Sequence, residues 1–417
     1  MDLLKSFAHP DEVVALLKFK LGGYSKTMPK NDYDKMSKTL QKCYDYLNKT
    51  SRSFAAVIQA LEGDLRHAVC IFYLVLRALD TVEDDMTIPV KVKVPMLMNF
   101  HKNLYDRSWN FTESKEKDRM VLEDFPTITH EFLELARHYQ VVIEDITKRM
   151  GKGMTVFLDK GVGSMEEWNE YCHYVAGLVG IGLSQLFSAS GLEGSIVGQD
   201  QRLANNMGLF LQKTNIIRDY LEDSVEGREF WPKAAWGKYA SKLSDLAKPE
   251  KRVDAVLCLN ELITNTLELV PDLMTYMSRL KNQSIFNFCA IPQVMAIATL
   301  ERCYDNPGVF TGVVKIRKGE AVRMMMEATS LDSVKAIFAY FLNQINKRIP
   351  GSGRATEKTR SVCTQALQMT QTSHSYTTVS IYPPLYVSCA MLVSAILWKY
   401  WASVATLYSY SNDNSDN

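Results

Sequence analysis

Apolar residues recur at three- and four-residue intervals along most of the chain, and a clean two-residue alternation is absent, so the body reads as all-α. The pattern predicts a helix over 11–19 that ends at Gly22-Gly23, and a longer one over 34–60, interrupted around 48–53. An apolar run from Ala68 to Leu79 leads directly into acids at 80–85. Beyond the turn at Pro89, helices are expected at 94–104, 128–150 and 155–158, and from Met165 into Tyr171. Others follow from Leu211 into a second acidic stretch, over 253–280 and up to Arg348. The charged stretch 113–124 and the segment 226–232 (EGREFWP) read as connections.

Three stretches depart from this amphipathic pattern. Residues 282–300 carry no charge up to Leu300 and approach the length of a membrane span, but Asn282, Gln283, Ser284 and Pro292 argue for a buried helix lining an apolar cavity. Residues 349–376 are rich in Ser, Thr, Gln and Gly and read as a flexible linker. Residues 381–407 are strongly apolar, with Tyr and Trp near both ends and Lys399 as the single charge, which suits one membrane span. Lys347, Arg348, Arg354, Lys358 and Arg360 precede that span and only a short acidic tail follows, so the positive-inside rule puts the large domain in the cytosol. An extra core helix is the alternative. The expected division is an all-α catalytic domain over 1–348, a linker over 349–376, and a C-terminal anchor with its tail over 377–417. Residues 1–20 form an amphipathic segment rather than a signal peptide, which makes the span a tail anchor.

Composition adds exclusions. A formal net charge of +1 gives no case for a nucleic-acid surface. Eight cysteines are scattered without CxxC or paired His spacing, against a zinc site or disulfide framework and in keeping with a reducing compartment.

The chemistry concentrates in two phrases. In the first, Tyr73, Arg77, Asp80, Glu83 and Asp84 share one helical stripe, and the three carboxylates at i, i+3 and i+4 project within about 5–6 Å of one another. Hard oxygen ligands on adjacent turns suit Mg²⁺, although a solvated acidic helix end gives the same spacing. The second phrase, Gln212-Lys213-Thr214-Asn215-Ile216-Ile217-Arg218-Asp219 through Glu222-Asp223, repeats the order apolar, Arg, Asp-x-x-Glu-Asp. Asn215, Asp219 and Asp223 fall at successive i+4 steps. Two such faces, opposed in a bundle, could clamp Mg²⁺ and draw off a diphosphate.

Other candidates are less specific. The Ser51-Arg52-Ser53-Phe54 segment resembles a helix start capped by Ser51 or Ser53, a corner suited to phosphate or simply a capped helix with an exposed Arg. Residues 177–182 (GLVGIG) lack the dinucleotide fingerprint and a preceding strand, so small residues here favour close approach of a second helix or a long apolar ligand. The 313–319 segment (VVKIRKG) is a basic loop suited to phosphate or an anionic surface.

Together, the Tyr73–Asp84 phrase, the 171–177 segment (YCHYVAG), the Gln212–Asp223 phrase and the 314–319 segment (VKIRKG) resemble the squalene synthase branch of the squalene/phytoene synthase family, its animal members most closely. The likeness runs from about His9 through the C-terminal span. It implies a single helical bundle of the isoprenoid synthase type and two molecules of farnesyl diphosphate as substrate. The implied reaction is a head-to-head condensation to presqualene diphosphate, then an NADPH-dependent reductive rearrangement to squalene, committed to sterol biosynthesis at the endoplasmic reticulum membrane. By the same resemblance Asp80, Glu83, Asp84, Asp219 and Asp223 hold Mg²⁺, Tyr171 serves the proton transfer of the first step, and Tyr73, Arg77 and Arg218 support the ionisations. Ser51, Ser53, Phe54, Leu183, Gln212, Phe288 and Pro292 match substrate-contacting positions. Arg52, Arg77, Asn215, Arg218, Lys315 and Arg317 match positions associated with NADPH. A monomer is expected. A phytoene-synthase-like condensation without reduction, and a non-catalytic tethered scaffold, are the rival readings.

Overall fold

The computed structural model describes residues 10–21, 33–51, 54–158, 160–351, 354–376 and 391. Every regular element among them is helical, as the periodicity predicts. The chain divides into two units. The smaller comprises Met1–Gly22, Arg317–Arg323 and Thr377–Asn417; its described part contains α1 (Pro10–Leu21) and residues 317–323. Within it Glu12 is buried, and Arg317 donates to the Glu12 carboxylate through Nε at 2.8 Å and Nη2 at 2.7 Å. The expected anchor over 381–407 lies, residue 391 apart, outside the described residues.

The larger unit opens with α2 (Lys38–Thr50) and α3 (Phe54–Gln59). Its centre is α4 (Leu65–Asp84), whose Ala68, Val69, Ile71, Phe72, Leu74, Val75, Ala78, Leu79 and Val82 are buried on nearly all sides. A helix apolar all round belongs in a core, and only the end of α4 emerges with its acids. Asp85, just past that end, is buried and accepts from Thr87 N at 2.8 Å, Ser114 Oγ at 2.7 Å and Lys115 N at 2.9 Å. Those bonds bring its pKa down to about 2 against the upward push of burial. The last acid of the cluster is therefore a brace for the connection, not part of the open acidic face.

Around α4 pack α5 (Val90–Asn103), α6 (Phe125–Glu134) and α7 (Arg137–Phe157). Next come α8 (Met165–Cys172), a π-helical turn over His173–Gly177, and α9 (Leu178–Ala189). α10 (Gln201–Arg218) packs on α9 through glycine: a Cβ at Gly180 would stand 2.2 Å from Ala204 O, and one at Gly208 2.2 Å from Ala176 O. The small residues thus serve helix–helix approach, and Gly180 and Gly208 also line an apolar cavity. Gly208→Ala is expected to lower stability by about 1–3 kcal/mol through overpacking against rigid backbone, measured by urea unfolding. An unchanged midpoint would mean these helices part at no cost.

After α11 (Tyr220–Val225) the bundle is completed by α12 (Arg252–Leu267), α13 (Val270–Met277) and α14 (Gln283–Cys303). The uncharged 282–300 stretch is indeed a core helix, with Ile285, Phe286, Phe288, Ala290, Val294 and Ile297 buried and Pro292 inside it. α15 (Lys318–Glu327) and α16 (Leu331–Arg348) follow, α16 stopping where the sequence pattern ends. One expectation needs correction. The linker proposed over 349–376 contains α17 (Arg354–Met369), which packs on α12, α13 and α16 with Val362, Cys363 and Ala366 buried. Those apolar positions hold helical spacing, but the surrounding Ser, Thr and Gln mask them. Thr359 even shares a hydrogen bond of 2.7 Å with Thr264 on α12. The seven described cysteines are all free thiols.

Candidate active site

The two acidic phrases meet. α4 carries Asp80, Glu83 and Asp84 to its last turn, half-buried on one face. The second phrase spans a kink: α10 ends at Arg218, Asp219 adopts φ −93° and ψ 14°, and α11 starts at Tyr220. The i+4 ladder nevertheless continues, from Asp219 N to Asn215 O and from Asp223 N to Asp219 O, both at 2.9 Å. Asn215, Asp219 and Asp223 therefore keep the shared face that their spacing predicts.

The residue that joins the phrases is one that sequence reasoning passed over. Arg228 places Nη1 at 3.0 Å from Asp84 Oδ1 and Nη2 at 3.1 Å from Asp223 Oδ1, with Glu226 Oε2 at 2.5 Å. Local structure explains its position. α11 stops at Gly227, whose φ of +75° lies in the left-handed region. Arg228 N then returns to Asp223 O at 2.8 Å and Gly227 N to Ser224 O at 3.3 Å, a Schellman termination. Gly227, read as a helix stop, was the available signal.

Charge crowding dominates the site. Burial, with Asp84 repelling and Arg77 opposing, raises Asp80 to about 7. Burial and the neighbouring Asp84 and Asp80 raise Glu83 to about 8. Burial raises Asp223 to about 7 even against the attraction of Arg228, and raises Asp84 as well. Asp219 is gripped by its neighbour Arg218, through Nε–Oδ1 at 2.7 Å and Nη2–Oδ2 at 2.6 Å. Among the described residues no three carboxylate, thiol or imidazole groups converge on one point; arginines stand between the acids instead. Hard oxygen donors from two elements, held against their own repulsion, form a set that a small divalent cation satisfies. Mg²⁺ fits this chemistry.

Arg77 donates to Tyr73 Oη at 3.2 Å, lies over its ring at 5.5 Å from the centroid, and approaches Asp118 at 3.8 Å. Tyr171, near the end of α8, is buried, edge-on to Phe157 at 5.4 Å and stacked on Phe230 at 5.2 Å with 15° between the rings. Its hydroxyl has no hydrogen-bond partner among the described residues. Burial, then the charges of Glu83 and Asp84, push its pKa well above 10.

Beside these groups α9, α10 and α14 enclose an apolar cavity of about 170 Å³. Phe54, Leu183, Phe288 and Pro292, all expected at the substrate, line it together with Gly208 and Tyr276. Gln293 also lines it; its Nε2 donates to Met207 O at 3.0 Å, while its buried Oε1 is without a partner. The remaining candidates lie elsewhere or differ from expectation. Ser51 is the buried C-cap of α2, and its carbonyl accepts from Ala55 N at 3.0 Å, the i+4 bond expected of a residue that opens the next helix. Arg52 and Ser53 lie outside the described residues. Gln212 is half-buried and Asn215 exposed, whereas the intervening Lys213 is a core residue bonded to Asn265 at 2.6 Å. Lys315 is exposed, and Arg317 is engaged by Glu12 and Glu320.

An all-α bundle that opposes two acid-rich helix ends, beside a tyrosine and an apolar cavity, defines an enzyme of the isoprenoid synthase type. The squalene/phytoene synthase family model matches residues 47–320. Relatives named squalene synthase from Mus musculus and Homo sapiens are 60% and 59% identical over 405 residues, 97% of each chain. One from Solanum lycopersicum is 49% identical over 84% of each chain. A solved structure of TcSQS with the ligand BPH1237 superposes with a TM-score of 0.78 at 41% identity, covering 80% of this chain and 99% of that one. The chain belongs to the squalene/phytoene synthase family.

Proposed function

We propose that the chain joins two farnesyl diphosphates head to head into presqualene diphosphate and then reduces that intermediate to squalene. The observation that carries this reading is the meeting of the two acidic phrases next to Tyr171 and the apolar cavity. Asp80, Glu83, Asp84, Asp219 and Asp223 would hold Mg²⁺, which when bound supplies positive charge to a departing diphosphate.

The side chains divide the rest of the work. Arg77 and Arg218 offer fixed guanidinium donors to the charge that grows on the leaving group. Phe54, Leu183, Phe288 and Pro292 take the farnesyl chains and exclude the water that would quench a carbocation. Tyr73, with its ring beneath Arg77, orients and steadies positive charge. A phenol held as high as that of Tyr171 accepts a proton poorly, so Tyr171 passes the proton of cyclopropane closure onward to diphosphate rather than keeping it. NADPH would be held by Arg52, Arg77, Asn215, Arg218, Lys315 and Arg317 and would supply hydride. The donor set matches a polyanionic cofactor, and Ser51, Ser53 and Gln212 would add polar contacts to the substrates. Residues 381–407 would anchor the enzyme, as a monomer, in the endoplasmic reticulum membrane with the helical body in the cytosol, where an apolar product can pass into the bilayer.

Product analysis tests the reading. The purified full chain in detergent is expected to convert farnesyl diphosphate to squalene only with both Mg²⁺ and NADPH, and to accumulate presqualene diphosphate when NADPH is withheld. A thirty-carbon hydrocarbon two hydrogens short of squalene, formed equally well with and without NADPH, would remove the reductive step and leave the phytoene-synthase-like alternative.

A further inference from the structure

We propose that Arg228 is the resident counter-cation of the ligand-free site, occupying the space between the two acidic phrases and yielding it when divalent metal and diphosphate arrive together. The inference rests on the assignment of these acids to metal.

The guanidinium engages Asp84 from the first phrase and Asp223 from the second at 3.0 and 3.1 Å, so one side chain does in this arrangement what a bridging cation does. Its third carboxylate partner, Glu226 at 2.5 Å, belongs to neither metal-binding set. Two further observations separate it from an ordinary structural ion pair. Its Nε is buried yet has no hydrogen-bond partner among the described residues, so a donor inside the site is left unused. A buried unmade bond of this kind is costly, and an arriving diphosphate oxygen would satisfy it. The side chain also follows directly on a single left-handed glycine, Gly227, at the end of a six-residue helix.

The displacement has a second effect. Arg228 lies 5.7 Å over the Phe230 ring, and Phe230 stacks on Tyr171. Moving the arginine withdraws a cation from the aromatic pair that packs the proton-transfer residue. Loading of the metal face and the setting of Tyr171 are thereby linked through one loop. Arg228 holds Oδ1 of both Asp84 and Asp223, so metal alone competes with it for those oxygens. Diphosphate relieves that competition by giving the guanidinium a new partner.

The test is Mn²⁺ binding by electron paramagnetic resonance, without farnesyl substrate, in the presence and absence of inorganic diphosphate. In the parent chain Mn²⁺ alone is expected to bind weakly, and diphosphate to tighten it strongly. In Arg228→Gln, Mn²⁺ alone should bind about tenfold tighter, and the tightening by diphosphate should shrink by a similar factor. Arg228→Lys keeps the charge but spans only one carboxylate, so its values should fall between the two. A glutamine variant with unchanged Mn²⁺ affinity, or with the full diphosphate effect retained, overturns the role of Arg228. Absence of Mn²⁺ binding in parent and variant, even with diphosphate, overturns the metal assignment and this proposal with it.

Discussion

Asp80→Asn and Asp219→Asn each lower the rate of presqualene diphosphate formation by about 10³-fold, measured with labelled farnesyl diphosphate at saturating Mg²⁺. The amide keeps the volume of the carboxylate and removes its charge, so packing is spared while a hard anionic ligand is lost. For Asp80 the fold should not suffer. Its carboxyl is held up to about 7 by burial and by Asp84, and deleting the charge relieves that crowding. A melting temperature equal to or above the parent's, with activity nearly gone, is the expected pairing. For Asp219 the substitution also frees Arg218 from its two-point grip. Some of the lost rate should therefore return at high Mg²⁺ less readily than in the Asp80 variant. Activity within threefold of the parent in both would instead favour a tethered scaffold whose acids are mere surface.

Tyr171→Phe is expected to lower the first half-reaction by about 10²–10⁴-fold while leaving Mn²⁺ binding and stability unaltered. The ring contacts with Phe157 and Phe230 survive the change, and the hydroxyl has no partner among the described residues to forfeit. That combination makes the substitution unusually clean. Presqualene diphosphate supplied directly should still be reduced to squalene by the variant. If the variant instead accumulates presqualene diphosphate, Tyr171 acts in the second half-reaction and the relay described for cyclopropane closure is wrong.

Much of this site could be read from spacing because its parts sit on helices. Asp80, Glu83 and Asp84 share a face through the period of α4 alone, and Asn215, Asp219 and Asp223 keep theirs across the kink because the i+4 bonds persist. The helix over 282–300 was legible for a similar reason: its polar residues and Pro292 set it apart from a membrane span. What escaped was tertiary. Asp85 looked like one more acid of the cluster until Ser114 and Lys115, thirty residues on, closed around it. Arg228 sits in a segment without periodicity, so only the Schellman turn at Gly227 gives it a place over Asp223. α17 hid behind its composition, since the few buried side chains that dock it, Thr359, Val362, Cys363 and Ala366, are scattered among polar and charged residues.

The π-helical turn at His173–Gly177, closed by Leu178 N returning to His173 O, has a bearing on how Tyr171 and the wall of the apolar cavity are phased. It is one residue longer than the α-turn it replaces. An α-helix advances about 100° per residue, so that extra residue sets the angular offset between Tyr171 upstream and Val179, Gly180 and Leu183 downstream. Two surfaces with different tasks are thereby cut into one continuous rod and indexed against each other by a backbone insertion. Substitutions that preserve the insertion can retune the cavity wall without re-aiming the phenol. Under the proposed function, variation in the chain length of the hydrocarbon accepted is therefore most accessible on the α9 side of that insertion, with Tyr171 left in register.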